Sequence, residues 1–266
     1  MGKRKNRLSS AAQLRLAWTE QDEDFTSAPA IPAYFSRRAR PQVSPVFGTY
    51  WRFAKNRQDI YFARVFGERP SLTVRDQILQ RYRFTNVYRA SDRVSQYLIR
   101  HVLYNQPHSP ADLVFRLLVF KFFNKVETWE ILSKDLGNIS WETFDLRRYE
   151  QSLSRAMARG ETIYSAAYIM PSGQTAFGFD RKHKNHLRII ESMMKENVVE
   201  RITEQKNFQS MYRLLRQFPC VGPFVGYQLA IDLNYTALLD FSENEFVEPG
   251  PGALDGIRKC FTGIGD

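Results

Sequence analysis

The residues best placed for chemistry lie in the last quarter of the chain. Residues 214–230 read as a helix, a tight turn centred on Val221-Gly222-Pro223, and a second helix. Gly222 is a position where the backbone can take a conformation, or a close approach, that a side chain would block. Pro223 suits the first position of a helix, where its missing N–H costs nothing. The unpaired amides of that second helix then make an anion site. The whole reads as a helix-hairpin-helix at about 211–233, a motif that grips a nucleic-acid phosphate without reading sequence. Val221, Gly222 and Phe224 are its expected phosphate-side residues. Cys220 stands where glycine is commoner, and Phe224 where a Lys or Arg often helps.

Carboxylates follow the hairpin: Asp240, Glu243, Glu245 and Glu248. Helix-hairpin-helix base-excision glycosylases also place an acid after the hairpin, facing a flipped-out base. A base-modifying site needs a proton acceptor or a charge stabiliser there, and Asp240 and Glu243 are the leading candidates. Next comes Gly250-Pro251-Gly252, a turn opening a helix, with Arg258 and Lys259 expected one turn inside. Gly250, Gly252 and Lys259 are therefore candidate phosphate contacts. No Gly-x-x-x-x-Gly-Lys-Ser/Thr string occurs in the chain, so it carries no Walker A loop.

The elements that must carry these residues read as helices. Apolar residues recur at three- and four-residue spacing in 65–72, 87–103 and 114–123. Ser109-Pro110-Ala111-Asp112 and Ser140 look like helix starts, while Ser91-Asp92 falls inside a helical pattern. Residues 162–170 suit a helix better than strands. Residues 1–45 mix a basic start, small polar residues, prolines and glycines, and are expected to be a flexible segment with one short helix at 8–18. The expectation is an all-α domain over 46–266. There is no internal repeat.

Composition limits the partners. Thirty-eight Lys and Arg against 28 Asp and Glu give a net charge of +10 and a pI near 9.6. That balance favours a polyanion, because each neutralised phosphate releases condensed counterions. No apolar run approaches the ~18 residues that span a bilayer, so no membrane partner is expected. Two cysteines, Cys220 and Cys260, make no disulfide framework, and four scattered histidines make no metal site. A cytoplasmic setting follows. The run Arg181-Lys182-His183-Lys184 reads as a solvated face or a nonspecific DNA contact.

Three strings (84–98, 120–130 and 250–253) together resemble the α-glutamyl/putrescinyl-thymine pyrophosphorylase family, which shares its helical domain with 5-hydroxymethyluracil DNA kinases. The resemblance spans about 46–266. It implies a DNA-glycosylase-like helical fold acting on hypermodified thymine in DNA, typically of phages, where such bases evade restriction. In such pathways a hydroxymethyluracil is phosphorylated or pyrophosphorylated, and an amine such as an amino acid (glycine) or putrescine then displaces the phosphate. The kinase branch adds a P-loop domain, and the family domain is expected to continue past Asp266 with further helices.

That reaction gives the earlier residues roles. Charge builds on the departing phosphate, so cationic donors must face it. Arg89 and Arg93, one turn apart on a helix with Asn86 and Asp92 nearby, would share a face. Lys121, Asn124 and Lys125 would do likewise, and Trp129 is either a stacking platform or, more often for a Trp, core. Asp92, Glu243 or Glu245 would take the proton from the amine. The expected partners are DNA bearing modified thymine and an amine or amino-acid co-substrate, with no cofactor. On this reading Arg93→Ala abolishes transfer and leaves most DNA affinity. Two alternatives stand beside it: a glycosylase using Asp240 or Glu243, and a non-catalytic DNA-binding module.

Overall fold

A computed structural model describes residues 41–67, 76–166 and 170–263. The expected flexible segment and its short helix at 8–18 fall outside the described residues up to residue 40. Twelve α-helices and one two-stranded sheet make up the described regular structure, with single 3₁₀ and π segments, so the chain is mainly helical. It divides into two compact units. Among the described residues one comprises 41–67, 76–84 and 251–263, the other 85–166 and 170–250.

In the first unit, helix α1 (Pro45–Val65) is capped by Ser44, whose side chain accepts from the amide of Val46, with Pro45 in the first turn. Its partner α12 (Pro251–Cys260) packs against it. Short strands β1 (Gln42–Val43) and β2 (Phe261–Thr262) pair antiparallel, Gln42 opposite Thr262. The amide of Ser44 donates to the carbonyl of Cys260 at 2.9 Å, tying the start of α1 to the end of α12. A short helix α2 (Gln77–Arg81) is capped by Asp76.

The second unit is organised around α4 (Pro110–Phe123). Every residue from Leu113 to Phe123 is buried, Arg116 and Lys121 included. A helix apolar on all sides belongs at the centre of a domain. Ser109 caps it as the sequence indicates, accepting from the amide of Asp112 at 3.1 Å, and Asn124 ends it in the left-handed conformation at φ 49°. Around it pack α5 (Val126–Leu136), α8 (Lys182–Lys195), α9 (Val198–Thr203), α11 (Pro223–Leu233) and a π-helical segment, Leu98–Leu103. Outside these, α6 (Leu146–Ala158) lies on α5 and α8, and α10 (Phe208–Leu215) on α9 and α11. Short helices α3 (Arg93–Tyr97) and α7 (Gln174–Phe177) complete the unit.

Several expectations need correction. The pattern over 87–103 is not one helix: Arg89–Ser91 form a 3₁₀ turn, Asp92 is extended, and α3 starts at Arg93. Asp92 causes the break, since its carboxylate accepts from the amide of Val94 and caps a new helix. Ser140 opens a turn closed by Thr143, and the next helix starts at Leu146 under an Asp145 cap. Of residues 162–170, those at 162–166 and 170 take neither helix nor strand, while 167–169 lie outside the described residues. Trp129 is core, 6 % exposed, with the Arg116 guanidinium 5.0 Å from its ring. The basic run at 181–184 is solvated only in part. His183 is buried against the Ser154 hydroxyl (3.0 Å), and one turn on His186 is buried between the Tyr164 hydroxyl (3.0 Å) and the Pro171 carbonyl (2.7 Å).

The Pro171 turn depends on Gly173, which sits at φ +72° with space for a Cβ only 2.9 Å from Cβ of Asn185. A side chain there meets both left-handed strain and a clash. Gly173→Ala should therefore cost about 2 kcal/mol or more. In thermal melts that lowers the midpoint by roughly 5 °C, and an unchanged midpoint would show that the turn is not held in this conformation.

Candidate active site

The break at Asp92 changes where the arginines point. Asn86 donates to the carbonyl of Ser91 (2.6 Å) and Gln96 to that of Ala90 (2.5 Å), fixing the 3₁₀ turn. Arg89 on that turn reaches α11. Its Nε and Nη2 donate to the carboxylate of Asp232 at 2.8–3.1 Å, and its Nη1 donates to the side-chain oxygen of Gln228. Lys121 of α4 approaches the same carboxylate at 3.0 Å and donates to Asn124 Oδ1 at 2.8 Å. Asp232 is wholly buried and Lys121 nearly so, whereas the Arg89 side chain is 28 % exposed. Two cations share one buried carboxylate, Asp92 also lies close enough to favour the charged form of Lys121, and Arg89 is the member that reaches solvent.

Burial pushes the Lys121 ammonium below its usual range, opposed by the attraction of Asp232. Around Arg89 stand tyrosines. Burial raises Tyr235 well above the normal phenol range, and Tyr227 is raised by burial and by the nearby Glu243. The Tyr104 hydroxyl, carried past the π segment, donates to the carbonyl of Tyr235 at 2.8 Å. A fixed guanidinium beside a buried anion offers planar donors to an incoming oxyanion without first having to be ordered.

Sequence-nominated residues fall into distinct places. Arg89 and Lys121 meet at Asp232, and Asn124 joins them through Lys121. Arg93 does not share a helical face with Arg89; it is exposed at the first position of α3. Lys125 does not share a face with Lys121 either, because the chain leaves the helix at Asn124 and Lys125 turns to the hydroxyl and carbonyl of Thr162. Asp92 is engaged as a cap. Asp240, Glu243 and Glu245 are exposed, and Glu248 accepts from the Tyr212 hydroxyl at 2.9 Å.

The α10–α11 pair forms an antiparallel hairpin. The left-handed residue of its turn is Cys220 (φ 64°), whereas Gly222 is ordinary extended backbone with open space where a Cβ would stand. The close approach belongs to Gly226, where a Cβ would come 2.9 Å from Cγ of Arg216. Val221 is buried and Phe224 is 46 % exposed, with Gly250 packed at its ring. Helix α11 thus carries the hairpin turn at one end, Gln228 near its middle about 8 Å along the axis, and Asp232 toward the other end about 14 Å along. Within the first unit, α12 does begin in the Gly-Pro-Gly turn, but Arg258 and Lys259 lie in its last turn, about 11 Å from that end. Lys259 pairs with Asp255 at 2.7 Å, so it and Gly252 do not converge on one anion.

Asp232 and Gln228 were not among the nominated residues. Their signal is a lone carboxylate inside the apolar run Leu229-Ala230-Ile231-Asp232-Leu233, since a charge on a buried stripe requires a buried partner. Among the described residues no cluster of three metal-ligating side chains occurs, and no helix is long and apolar enough to cross a membrane.

Comparison with known proteins places this architecture. The family model described as the helical domain of 5-hmdU DNA kinase matches residues 44–265, which start at the Ser44 cap. A 5-hmdU DNA kinase of Bacillus phage SP10 is 28 % identical over 230 residues, covering 79 % of this chain and 35 % of that protein. The chain thus spans about a third of the relative's length. No solved structure matches. The chain belongs to the family of 5-hmdU DNA kinase helical domains.

Proposed function

We propose that this chain is a transferase of thymine hypermodification. It binds DNA carrying 5-phosphomethyl- or 5-pyrophosphomethyl-deoxyuridine and replaces the phosphate or pyrophosphate with an amine such as glycine or a polyamine. The observation that carries this reading is the Arg89–Asp232–Lys121 cluster, two cations on one buried carboxylate of which Arg89 reaches solvent. The relative's name, a kinase acting on 5-hmdU in DNA, supports a modified uracil as the base.

In the proposed reaction the amine nitrogen attacks the exocyclic methylene and the carbon–oxygen bond breaks. Phosphate leaves with the bonding electrons, and Arg89 meets the charge that develops on it. The attacking nitrogen sheds a proton, for which Glu243, beside Tyr227 and Tyr235, is the accessible carboxylate. The α10–α11 hairpin would act as a helix-hairpin-helix on the DNA backbone, with Val221, Gly222 and Phe224 at the phosphate. Arg93 and Lys125 would add cationic contacts along the strand. A duplex substrate would have to extrude its base to reach the cluster. Excision of the base, the alternative reading, would rest on Asp240 or Glu243, both of which are exposed.

The test is nucleoside mass spectrometry after incubating the protein with oligonucleotides bearing each leaving group and a mixture of amino acids and polyamines. A parallel arm offers 5-hydroxymethyluracil DNA with ATP. The expected result is a mass gain of one amine with phosphate or pyrophosphate released. Arg89→Ala should lower turnover about 10²–10³-fold while DNA affinity changes only a few-fold. Arg93→Ala at wild-type turnover takes Arg93 out of the site. DNA binding without any change of the base makes the chain a binding module. Abasic sites make it a glycosylase, and phosphorylation in the ATP arm a kinase.

A further inference from the structure

The amide of Gln228 has an orientation that its neighbours dictate. Arg89 can only donate hydrogen bonds, so the Gln228 atom facing it must be the oxygen. Arg89 is in turn held by three hydrogen bonds to the buried Asp232, which Lys121 also holds. The amide NH₂ of Gln228 therefore faces away from the cluster, and among the described residues it has no hydrogen-bond partner. Gln228 is half-buried near the middle of α11. Turning the amide over would set NH₂ against guanidinium N–H and lose a charge-assisted bond.

Building on the transferase reading, we propose that Gln228 is the specificity-determining residue that selects a 4-oxo pyrimidine. Its fixed donor meets the 4-carbonyl oxygen of a uracil ring. The same donor opposes the 4-amino group of a cytosine ring, which is itself a donor. Thymine, 5-hydroxymethyluracil and its phosphorylated forms share that carbonyl, so Gln228 separates ring classes and leaves the 5-substituent to Arg89. A buried polar group built to pair with one partner rejects the analogue that cannot pair.

The experiment is fluorescence anisotropy with the full chain and oligonucleotides carrying one 5-hydroxymethyluracil, one 5-hydroxymethylcytosine or one thymine. The wild type should favour the uracil over the cytosine analogue by about tenfold or more, with little difference between 5-hydroxymethyluracil and thymine attributable to Gln228. Gln228→Glu keeps an acceptor for Arg89 but presents a second acceptor to the base, so the preference should vanish or reverse toward cytosine. Gln228→Met, of similar shape and without donors, should bring the ratio near one, and it carries the test if the glutamate variant unfolds by circular dichroism. Equal binding of both analogues by wild type, or a folded Gln228→Met with undiminished preference, overturns the proposal. A chain that turns over phosphomethyluracil yet does not discriminate loses Gln228 alone. A chain that discriminates through Gln228 but transfers nothing loses the transferase reading alone.

Discussion

Asp232→Ala is expected to lower the stability of the chain by about 3–5 kcal/mol, read as a shift of the urea midpoint or as a fall in melting temperature of roughly 10 °C. The loss does not come from one favourable bond. Asp232 is the anion between the buried Lys121 ammonium and the Arg89 guanidinium, and removing it takes from the buried ammonium the carboxylate it touches. Bringing two cations together inside a protein is costly by itself, and their attraction to the carboxylate is what offsets it. The double variant Asp232→Leu with Lys121→Met should recover much of the loss, because it removes charges as a pair and leaves Arg89, already part-exposed, able to reach water. A single-variant cost below about 1 kcal/mol, the range of an exposed ion pair, would mean that Lys121 finds another partner and that the cluster is not the anchor of the site.

Acid should act on a different part of the same unit. His183 and His186 are buried and held near pKa 4, chiefly by burial, against an ordinary value of 6.5. The unfolded chain therefore takes up protons that the folded chain refuses as pH falls below 6.5. Stability from these groups is complete above that pH and declines steadily toward pH 4. For displacements of this size the loss approaches about 3 kcal/mol per histidine. The charges facing them deepen the effect: Arg181 and Lys184 near His183, and Lys182 near His186, all disfavour an imidazolium. Melting temperature followed from pH 7 to 4.5 should fall, and His186→Gln, which keeps a donor for the Pro171 carbonyl, should flatten the curve. Asp135, lowered mainly by the Ser152 hydroxyl, matters only below its usual carboxylate range. A flat profile above pH 5 would show that the histidines are open to water.

Local chemistry made part of this legible. Ser109, Pro110 and Asp112 announce the start of α4 because caps act within four residues, and the apolar run of 113–123, interrupted only by Arg116 and Lys121, announces its burial. Pro223 likewise fixes where α11 begins. The same local rules misled at Asp92, whose capping carboxylate outcompeted an apolar rhythm that continued on both sides. They misled at Gly222 as well, since the left-handed residue of the turn is Cys220. The site itself was only half legible. Arg89 and Lys121 were visible as cations near a suggestive motif, but the group that joins them lies 143 residues along the chain from Arg89. No periodicity carries that pairing. Only the burial of Asp232 hints at it, and burial is a property of the assembled core.

The π segment Leu98–Leu103 has a consequence for how the chain tolerates change in length. A π turn holds one residue more than an α turn over the same rise, so it behaves as an insertion absorbed without breaking the helix. Deleting one residue there would let the segment rewind as plain α-helix with the residues after it still facing the same way, whereas the same deletion in a regular α-helix rotates everything after it by about 100°. Tyr104 should then keep its bond to the Tyr235 carbonyl beside Arg89. Most single-residue losses in this protein should be judged by what they unpack, but a loss at this segment by how little it turns the side chains that follow.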